Sequence, residues 1–395
     1  MVAINSFFQR LKRTSIFSLI EEKIDALHKE IPLDPLINLS IGDIALPLIP
    51  AAAQAISQAV LEMGTSSGLK GYGPCNGYLF LREAIVNTYF STLQITPEEI
   101  FISDGINTDI TNILELFSLF SVVAIPDPAY PAYLDATLLS GRTKIIALPC
   151  LETNQFHPYP PSESCDLIYL CSPNNPTGVA MNKDLLAAWV HYALKHKAVI
   201  FFDHAYEAFI RSGDVPRSIF EIPGAKECAI EFRSFSKSAG FTGLRCSYTI
   251  LPKALKARYA EQEISLHTLW YRRQTAKFNG VAYPIQKGAL ATLLPQGQSE
   301  MKAQINSYLA QAKALKQGLI QLGFDCYGGI DSPYIWVKTP KGKSSWEFFD
   351  ELLMKCHLIS IPGIGFGKQG EGFVRFSAFS TPEKIDLALN RINQL

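Results

Sequence analysis

Short apolar runs alternate with stretches of helical pattern between about residues 100 and 250. Each run is nearly continuous in β-branched and other apolar residues, which is typical of strands that are covered on both faces of a sheet. The alternation of such strands with helices predicts an α/β fold with a mostly parallel central sheet. The predicted strands are residues 122–125, 167–171, 198–202, 228–232 and 246–251.

Asn182 indicates where one of the intervening helices begins. The segment that follows it, KDLLAAWVHYALKHK, has apolar residues at helical spacing and basic residues at its end. Because an asparagine side chain can cap the first turn, the pattern predicts a helix between the strands 167–171 and 198–202.

The C-terminal part has a different pattern. A helical pattern over residues 301–322 stops at Gly323, strands are predicted at 334–337 and 373–376 around a helix over 346–356, and a last helix opens at Thr381-Pro382. We interpret this part as a smaller α+β domain, because 395 residues exceed the length at which one hydrophobic core keeps growing. We expect a large cofactor-binding domain over 48–280 and a small domain made of 1–47 and 281–395.

Composition and charge exclude several classes of protein. Lysine plus arginine equals aspartate plus glutamate at 36 each, so no excess positive charge is available to bind nucleic acid or an acidic membrane surface. The eight cysteines include no C-x-x-C, which excludes a zinc ribbon and is typical of reduced thiols. Residues 1–27 have the pattern of an amphipathic helix rather than a signal peptide, and no apolar run reaches transmembrane length. We expect a cytoplasmic protein without a metal.

The segment SFSKSAGFTGLR, residues 234–245, contains the most informative residue for function. Its lysine, Lys237, lies beside two serines and eight positions before Arg245. A lysine can attack a carbonyl to form a Schiff base, and hydroxyls together with a guanidinium can bind a phosphate dianion. These two features suggest pyridoxal phosphate, which carries an aldehyde and a phosphate. The alternative is a solvated basic turn.

Polar residues follow the predicted strands at the edge where open α/β sheets bind ligands. Asp203 and Tyr206 follow strand 198–202, and Asn175, in the turn SPNNPTG, follows strand 167–171. A carboxylate that leaves so apolar a strand needs a cationic partner, for which a protonated pyridine nitrogen would serve. The alternatives are an aspartate that caps the next helix and an ordinary Asn–Pro loop.

Three further positions are candidates for binding. The first amides of the helix that begins after Gly105, at Ile106 and Asn107, can bind phosphate. Tyr130, between two prolines, can stack on a flat ring or pack in the core. Arg375 lies inside an apolar strand, where either a substrate α-carboxylate or a buried Asp or Glu would satisfy it.

Together these segments resemble the class I/II aminotransferases of the fold type I pyridoxal-phosphate superfamily, over nearly the whole chain. The most specific are the S-x-S-K…R run, N-P-T-G and D-x-A-Y. The resemblance implies that Lys237 forms the Schiff base and moves protons, that Asp203 pairs with the pyridine nitrogen, and that Arg375 binds the α-carboxylate. It further implies that Tyr206 and Asn175 bond the phenolic oxygen, that Tyr130 stacks on the ring, that Ser234, Ser236, Arg245 and the amides of Ile106 and Asn107 hold the phosphate, and that Gly42 lies near the carboxylate.

Within this superfamily the chain is most similar to the LL-diaminopimelate aminotransferases. The supporting segments are LSIGD (39–43), GYGP (71–74), SDG (103–105), DPAYPAY (127–133) and FNG (278–280). The resemblance implies a homodimer in which Tyr72 and Asn279 enter the neighbouring subunit's site, at both cofactor and substrate. The reaction would move an amino group from glutamate to tetrahydrodipicolinate, and would give LL-diaminopimelate for lysine and cell-wall synthesis.

Three positions depart from that family's pattern. Cys75-Asn76 stand in the substrate-binding segment where the family has Glu-Gln, so the glutamate expected to meet the distal ammonium of the substrate is missing. Asn107 replaces a lysine near the phosphate, and an N-terminal tyrosine is replaced near Ser15. We hypothesise that the enzyme keeps the family reaction but accepts a broader set of amino acids.

Two other interpretations stay open at this point. A general aspartate, alanine or aromatic aminotransferase, or a pyridoxal lyase, would use the same fold and cofactor, since small changes in the pocket select the reaction. A non-catalytic regulator of this fold would carry a basic DNA-binding domain, for which this chain has neither the extra length nor the charge.

Overall fold

The structure of the protein, a computed structural model, describes residues 2–11, 16–30 and 36–395. In chain order the strands are β1 (Ile37–Asn38), β2 (Ile100–Ser103), β3 (Val123–Asp127), β4 (Ile145–Pro149), β5 (Leu167–Cys171), β6 (Val199–Asp203), β7 (Ala229–Ser234), β8 (Ser247–Ile250), β9 (Lys256–Tyr259), β10 (Gln262–Ser265), β11 (Cys326–Gly328), β12 (Tyr334–Lys338), β13 (Leu358–Ile359), β14 (Ile361–Pro362) and β15 (Phe373–Ser377). The α-helices are α1 (Ile16–Glu30), α2 (Pro50–Met63), α3 (Leu79–Ile85), α4 (Ile106–Asn112), α5 (Ala132–Leu139), α6 (Lys183–His196), α7 (Phe235–Ser238), α8 (Leu266–Lys277), α9 (Tyr283–Leu293), α10 (Pro295–Gln321), α11 (Ser345–Cys356) and α12 (Pro382–Ile392).

The central sheet has seven strands in the order β2-β8-β7-β6-β5-β3-β4. The pairs β3/β4, β3/β5, β5/β6 and β6/β7 are parallel, and only β8 runs against its neighbours β7 and β2. This confirms the predicted α/β fold with a mostly parallel central sheet. The two strands that the sequence analysis did not identify, β2 and β4, are the two edges of the sheet.

Both faces of the central sheet are covered by apolar side chains. Along β5, Leu167 and Tyr169 pack into the core on one face, while Ile168 and Leu170 pack into the core on the other. This two-sided burial explains why the central strands are continuous apolar runs rather than alternating ones.

The predicted cap at Asn182 is confirmed. Its side chain accepts a hydrogen bond from the Leu185 amide at 2.9 Å, and α6 begins at the next residue. The helix ends at Lys197, which has a left-handed backbone conformation. Because α6 connects β5 to β6, it places the two strand ends that carry Asn175 and Asp203 side by side.

The C-terminal part contains a second, antiparallel sheet with the order β11-β12-β15-β14. The predicted strands 334–337 and 373–376 and the predicted helix 346–356 are confirmed to within one residue. The long helix begins at Pro295 rather than at residue 301. The proline at its first position is favourable for a helix start, and the first apolar residues of the helical pattern come only later.

The N-terminal segment differs from the prediction of one helix over residues 1–27. Residues Ser6–Arg10 form a 3₁₀ turn, whose Asn5 cap accepts a hydrogen bond from the Phe7 amide, and α1 begins at Ile16. Ser15, near which the sequence departs from the family, lies outside the described residues.

Residues near the N-terminus also join the C-terminal part, because β1 pairs in parallel with β13. The helix α9 packs closely along α2, and a methyl group on Gly288 would lie 2.5 Å from the Ile56 side chain. The domain limits 48–280, 1–47 and 281–395 stay a prediction. Within residues 2–11, 16–30 and 36–395, no helix is long and apolar enough to cross a membrane.

Candidate active site

A cavity of about 400 Å³ lies between the carboxyl ends of the central strands and the four-stranded sheet. The central sheet contributes residues from the ends of β5, β6 and β7, and the second sheet contributes residues from β12 and β15. The sequence-predicted residues that line this cavity are Gly42, Ile106, Asn107, Tyr130, Asn175, Asp203, Tyr206, Ser234, Ser236, Lys237, Arg245 and Arg375.

Lys237 extends from the short helix α7, directly after β7. The Ser234 side chain caps this helix by accepting a hydrogen bond from the Ser236 amide at 3.0 Å. The Lys237 ammonium donates to the Gly42 carbonyl and lies 5.9 Å from the centre of the Phe379 ring. Burial lowers the pKa of Lys237 to about 8, because a buried ammonium loses its hydration. A lysine with so low a pKa holds a reactive neutral amine near neutral pH.

Asp203 is the last residue of β6, and only 7% of its surface is exposed. Its carboxylate accepts a hydrogen bond from the Tyr133 hydroxyl at 2.6 Å and another from the Ala205 amide at 3.1 Å. Both donors are neutral, and burial raises the pKa of Asp203 to about 6. The bond to Ala205 is the local turn contact of the capping alternative, but the side chain also faces the cavity.

Arg375 lies in the middle of β15 and is almost fully buried. One terminal nitrogen donates to the Asn175 side-chain oxygen at 2.6 Å, and the other donates to the Ser40 carbonyl. Its bonded partners are therefore neutral oxygens and not the Asp or Glu of the ion-pair alternative. Its Nε atom is buried without a hydrogen-bond partner. The guanidinium thus has donors to offer to an incoming carboxylate.

Arg245 lies against the backbone at the start of α4. Gly105 has a φ of +151°, and a methyl group at that position would lie 2.2 Å from an Arg245 terminal nitrogen. The positive φ favours glycine at this position, and a larger residue would also require the Arg245 side chain to shift. The Arg245 guanidinium, the Ser236 side chain and the first residues of α4 line the same cavity.

Tyr130 is half-buried in the wall of the cavity and packs edge-on against Tyr133, with ring centres 5.7 Å apart. Tyr133 in turn stacks on Tyr169 at 4.8 Å. Tyr133 and Tyr334 line the cavity, although the sequence analysis assigned them no role. The signal for Tyr133 was its spacing, because it lies one helical turn from Tyr130.

Four predicted residues lie away from this cavity: Tyr72, Cys75, Asn76 and Asn279. Tyr72 is 92% exposed, and Asn279 is also exposed. The segments that carry them are neighbours, since a methyl group on Gly280 would lie 3.0 Å from the Pro74 carbonyl. They therefore form one group on the surface of the chain.

Known proteins resemble this chain over its full length. The sequence pattern of the family Aminotransferase class I and II matches residues 34–392. LL-diaminopimelate aminotransferase of Lawsonia intracellularis is 46% identical over 406 aligned positions, which cover 100% of this chain and 99% of that protein. The solved structure of L,L-diaminopimelate aminotransferase from Chlamydomonas reinhardtii superposes with a TM-score of 0.94 at 40% identity, over 100% of this chain and 98% of that one.

A more distant solved structure shares the fold. A single mutant of aspartate aminotransferase from Thermus thermophilus superposes with a TM-score of 0.87 at 20% identity, over 100% of both chains. The match to the family pattern over most of the chain and the full-length relative at 46% identity lead to one assignment. The chain is a member of the class I and II aminotransferase family.

Proposed function

We propose that this protein is a pyridoxal-phosphate-dependent aminotransferase that moves an amino group between LL-2,6-diaminopimelate and 2-oxoglutarate. In the biosynthetic direction it converts tetrahydrodipicolinate and glutamate, a step towards lysine and peptidoglycan. The observation that carries the proposal is that Lys237, Asp203 and Arg375 face one cavity in a chain whose full-length relatives bear this activity in their names.

The residues of the cavity fit this cofactor. Asp203 is a buried carboxylate whose hydrogen-bond donors are neutral, so a cationic ring nitrogen would offset the cost of its charge. Arg245 and Ser236 offer the donors that a phosphate dianion requires. When bound, pyridoxal phosphate supplies the electron sink for the reaction.

The side chains of the chain would supply binding and proton transfer. Arg375 binds the α-carboxylate of the substrate in place of Asn175 and Ser40, because a carboxylate is a stronger acceptor than an amide or carbonyl oxygen. Lys237 moves the proton at the substrate's α-carbon, for which its lowered pKa suits it. Tyr206 donates a hydrogen bond to the cofactor's phenolic oxygen.

The proposal includes a homodimer with shared active sites. Tyr72 and Asn279 lie in neighbouring segments but outside the cavity of their own chain. Because Tyr72 is 92% exposed, its ring is accessible to a second copy of the chain. Sedimentation of the purified protein tests this part, and a monomer at assay concentration contradicts it.

Cys75 supports a broadened range of amino donors, since it offers no charge to a second ammonium group. The test is to compare the kcat/KM of LL-diaminopimelate with those of lysine, glutamate, aspartate and aromatic donors, in wild type and in Cys75→Glu. Cys75→Gln is the matched control, because glutamine has the size of glutamate without its charge. Strict selectivity of the wild type for diaminopimelate contradicts the broad range.

The central experiment incubates the purified protein with LL-diaminopimelate and 2-oxoglutarate and measures glutamate. We expect one glutamate for each 2-oxoglutarate consumed, and product formation at least about 10³-fold slower in Lys237→Ala. Lys253→Ala is the control, because Lys253 is an exposed lysine outside the cavity. Loss of diaminopimelate without consumption of 2-oxoglutarate would indicate a lyase and overturn the proposal.

A further inference from the structure

Tyr334 is the buried residue at which the two sheets meet inside the cavity. It is the first residue of β12 in the four-stranded sheet, and 1% of its surface is exposed. Its hydroxyl lies 2.6 Å from the hydroxyl of Tyr206, which follows β6 of the central sheet. The two rings pack edge-on with centres 5.2 Å apart. The contact therefore connects the two sheets in the wall of the cavity.

The charge of Arg375 indicates which of the two hydroxyls donates. The guanidinium lies 4.3 Å from the centre of the Tyr334 ring. Burial raises the pKa of Tyr334, and the adjacent positive charge acts in the opposite direction, towards a more acidic hydroxyl. Burial raises the pKa of Tyr206 well above its usual value. Either hydroxyl can donate at this distance, and we assign the donor role to the more acidic one, that of Tyr334. The Tyr206 proton is then free to point into the cavity.

The ring of Tyr334 has a separate contact. Because the guanidinium of Arg375 lies over the ring face, the ring forms a floor that limits where the guanidinium can move. The Phe366 ring, 5.0 Å from the same guanidinium, completes its surroundings. Tyr334 also approaches the loop at Gly42 closely, since a methyl group on Gly42 would overlap the Tyr334 hydroxyl oxygen.

We propose that Tyr334 is a positioning residue with two separable actions: its hydroxyl strengthens Tyr206 as a donor to the cofactor, and its ring holds Arg375 in place for the substrate carboxylate. The inference rests on the proposed function, since it assigns Tyr206 and Arg375 those ligands. The two actions differ in their chemistry, so two substitutions distinguish them. Tyr334→Phe removes only the hydroxyl, and Tyr334→Leu removes the hydroxyl and the aromatic face.

The first measurement is the pH midpoint of the visible absorbance of the bound cofactor. Without the Tyr334 donor, Tyr206 donates more weakly to the phenolic oxygen, and the protonated form of the cofactor persists to higher pH. We expect Tyr334→Phe to raise the midpoint by about 0.5, which corresponds to part of one hydrogen bond. A merely structural tyrosine would leave this midpoint unchanged in a folded variant.

The second measurement is the dissociation constant of glutarate, an unreactive dicarboxylate, from the cofactor-bound protein. We expect less than about a twofold change in Tyr334→Phe, and about tenfold weaker binding in Tyr334→Leu, because a desolvated cation–π contact is lost. Tyr327→Phe is the matched control. Tyr327 also belongs to the four-stranded sheet and donates across to Glu152, but it lies outside the cavity, so we expect neither quantity to change.

The outcomes separate this inference from the function on which it rests. An unchanged midpoint in a Tyr334→Phe variant that binds the cofactor overturns the action of the hydroxyl. Equal glutarate affinities in Tyr334→Phe and Tyr334→Leu overturn the action of the ring. A wild-type protein without cofactor absorbance overturns the proposed function, and the inference with it.

Discussion

The two sheets hold their active-site residues in different ways. Asp203, at the end of β6, is bonded by Tyr133 and Ala205, which both belong to segments that pack on the central sheet. Arg375, in the four-stranded sheet, is bonded by Asn175 and Ser40, which lie outside that sheet. The Asp203 carboxylate is therefore oriented by residues that pack on the same sheet as its own strand. Arg375, which is expected to bind the substrate carboxylate, is held by contacts from outside its own sheet. A substrate can replace these contacts.

The largest expected effect is on the central-sheet side. Lys237→Ala removes the group that moves the proton, and such groups contribute about 10²–10⁴-fold to rate, so we expect kcat to fall by at least about 10³-fold. The cofactor-free protein should not lose stability, since burial of the charged amine is unfavourable, as its lowered pKa shows. Steady-state kinetics with thermal unfolding tests both statements. Residual activity above about a tenth of wild type would place the proton transfer elsewhere.

The second prediction concerns the cost of the buried carboxylate in the cofactor-free protein. Burial raises the pKa of Asp203 to about 6. Between the pKa of an aspartate in the unfolded chain and pH 6, the folded state therefore binds more protons than the unfolded state. The free energy of unfolding therefore falls as pH rises through that window. We expect Asp203→Asn to abolish this dependence and to be more stable at pH 7.5, by on the order of 2–3 kcal/mol. Urea unfolding at pH 5 and 7.5 measures it, and parallel curves for both proteins refute it.

The third prediction tests Arg375, which is held by contacts from outside its own sheet. Arg375→Lys keeps the charge but loses the planar pair of donors, so the KM for amino and oxo acids should rise by about 30-fold, the equivalent of one charged hydrogen bond. The cofactor's absorbance should stay, because the central sheet carries its ring partners. A loss of cofactor binding in this variant would show that the two sides are not independent.

The fourth prediction follows from the lowered pKa of Lys237. The neutral amine is the reactive form, so the rate at which cofactor-free protein takes up pyridoxal phosphate should rise with pH and level off above about 8. The expected increase from pH 7 to the plateau is about tenfold, since one pH unit below its pKa about a tenth of the amine is neutral. Stopped-flow absorbance gives the profile. A midpoint near the usual lysine value would mean that burial does not lower the pKa.

The smallest effect is expected where the two sheets meet outside the cavity. Lys338 and Glu152 form an ion pair at 2.7 Å, and both side chains are about 40% exposed. Exposed pairs contribute less than about 1 kcal/mol, so Lys338→Ala should lower the free energy of unfolding by no more than that and leave kcat/KM unchanged. A clear kinetic change would mean that contacts far from the cavity also align the sheets.

Local pattern was sufficient for much of the fold. The inner strands were predicted within two residues of their ends, because burial on both faces makes them continuous apolar runs. The edge strands β2 and β4 were not identified, although β2 is buried along its whole length. The start of α10 was placed too late, because its first turn, from Pro295, has no apolar spacing.

The candidate site divides in the same way. Asp203 and Arg375 were found from the sequence because a charged residue in an apolar segment is unusual wherever it occurs, and Lys237 was found from the serines and Arg245 that accompany it. Tyr334 was not found, because a tyrosine in an apolar run is indistinguishable from a core residue. Tyr133 was assigned no role, although it lies three residues after Tyr130. Only the hydrogen bonds to Asp203 and Tyr206 identify them as part of the site.

By itself, the sequence determined the sheet type, the reactive lysine and the family resemblance, since each depends on the order and polarity of neighbouring residues. Only the tertiary structure decided which residues meet. It joined Arg375 to Asn175 and Tyr334 to Tyr206 across more than a hundred positions of chain, and it left Tyr72 and Asn279 on the surface. The physical reason is that hydrogen bonds and packing act over a few ångströms, a distance that the linear order of residues does not encode.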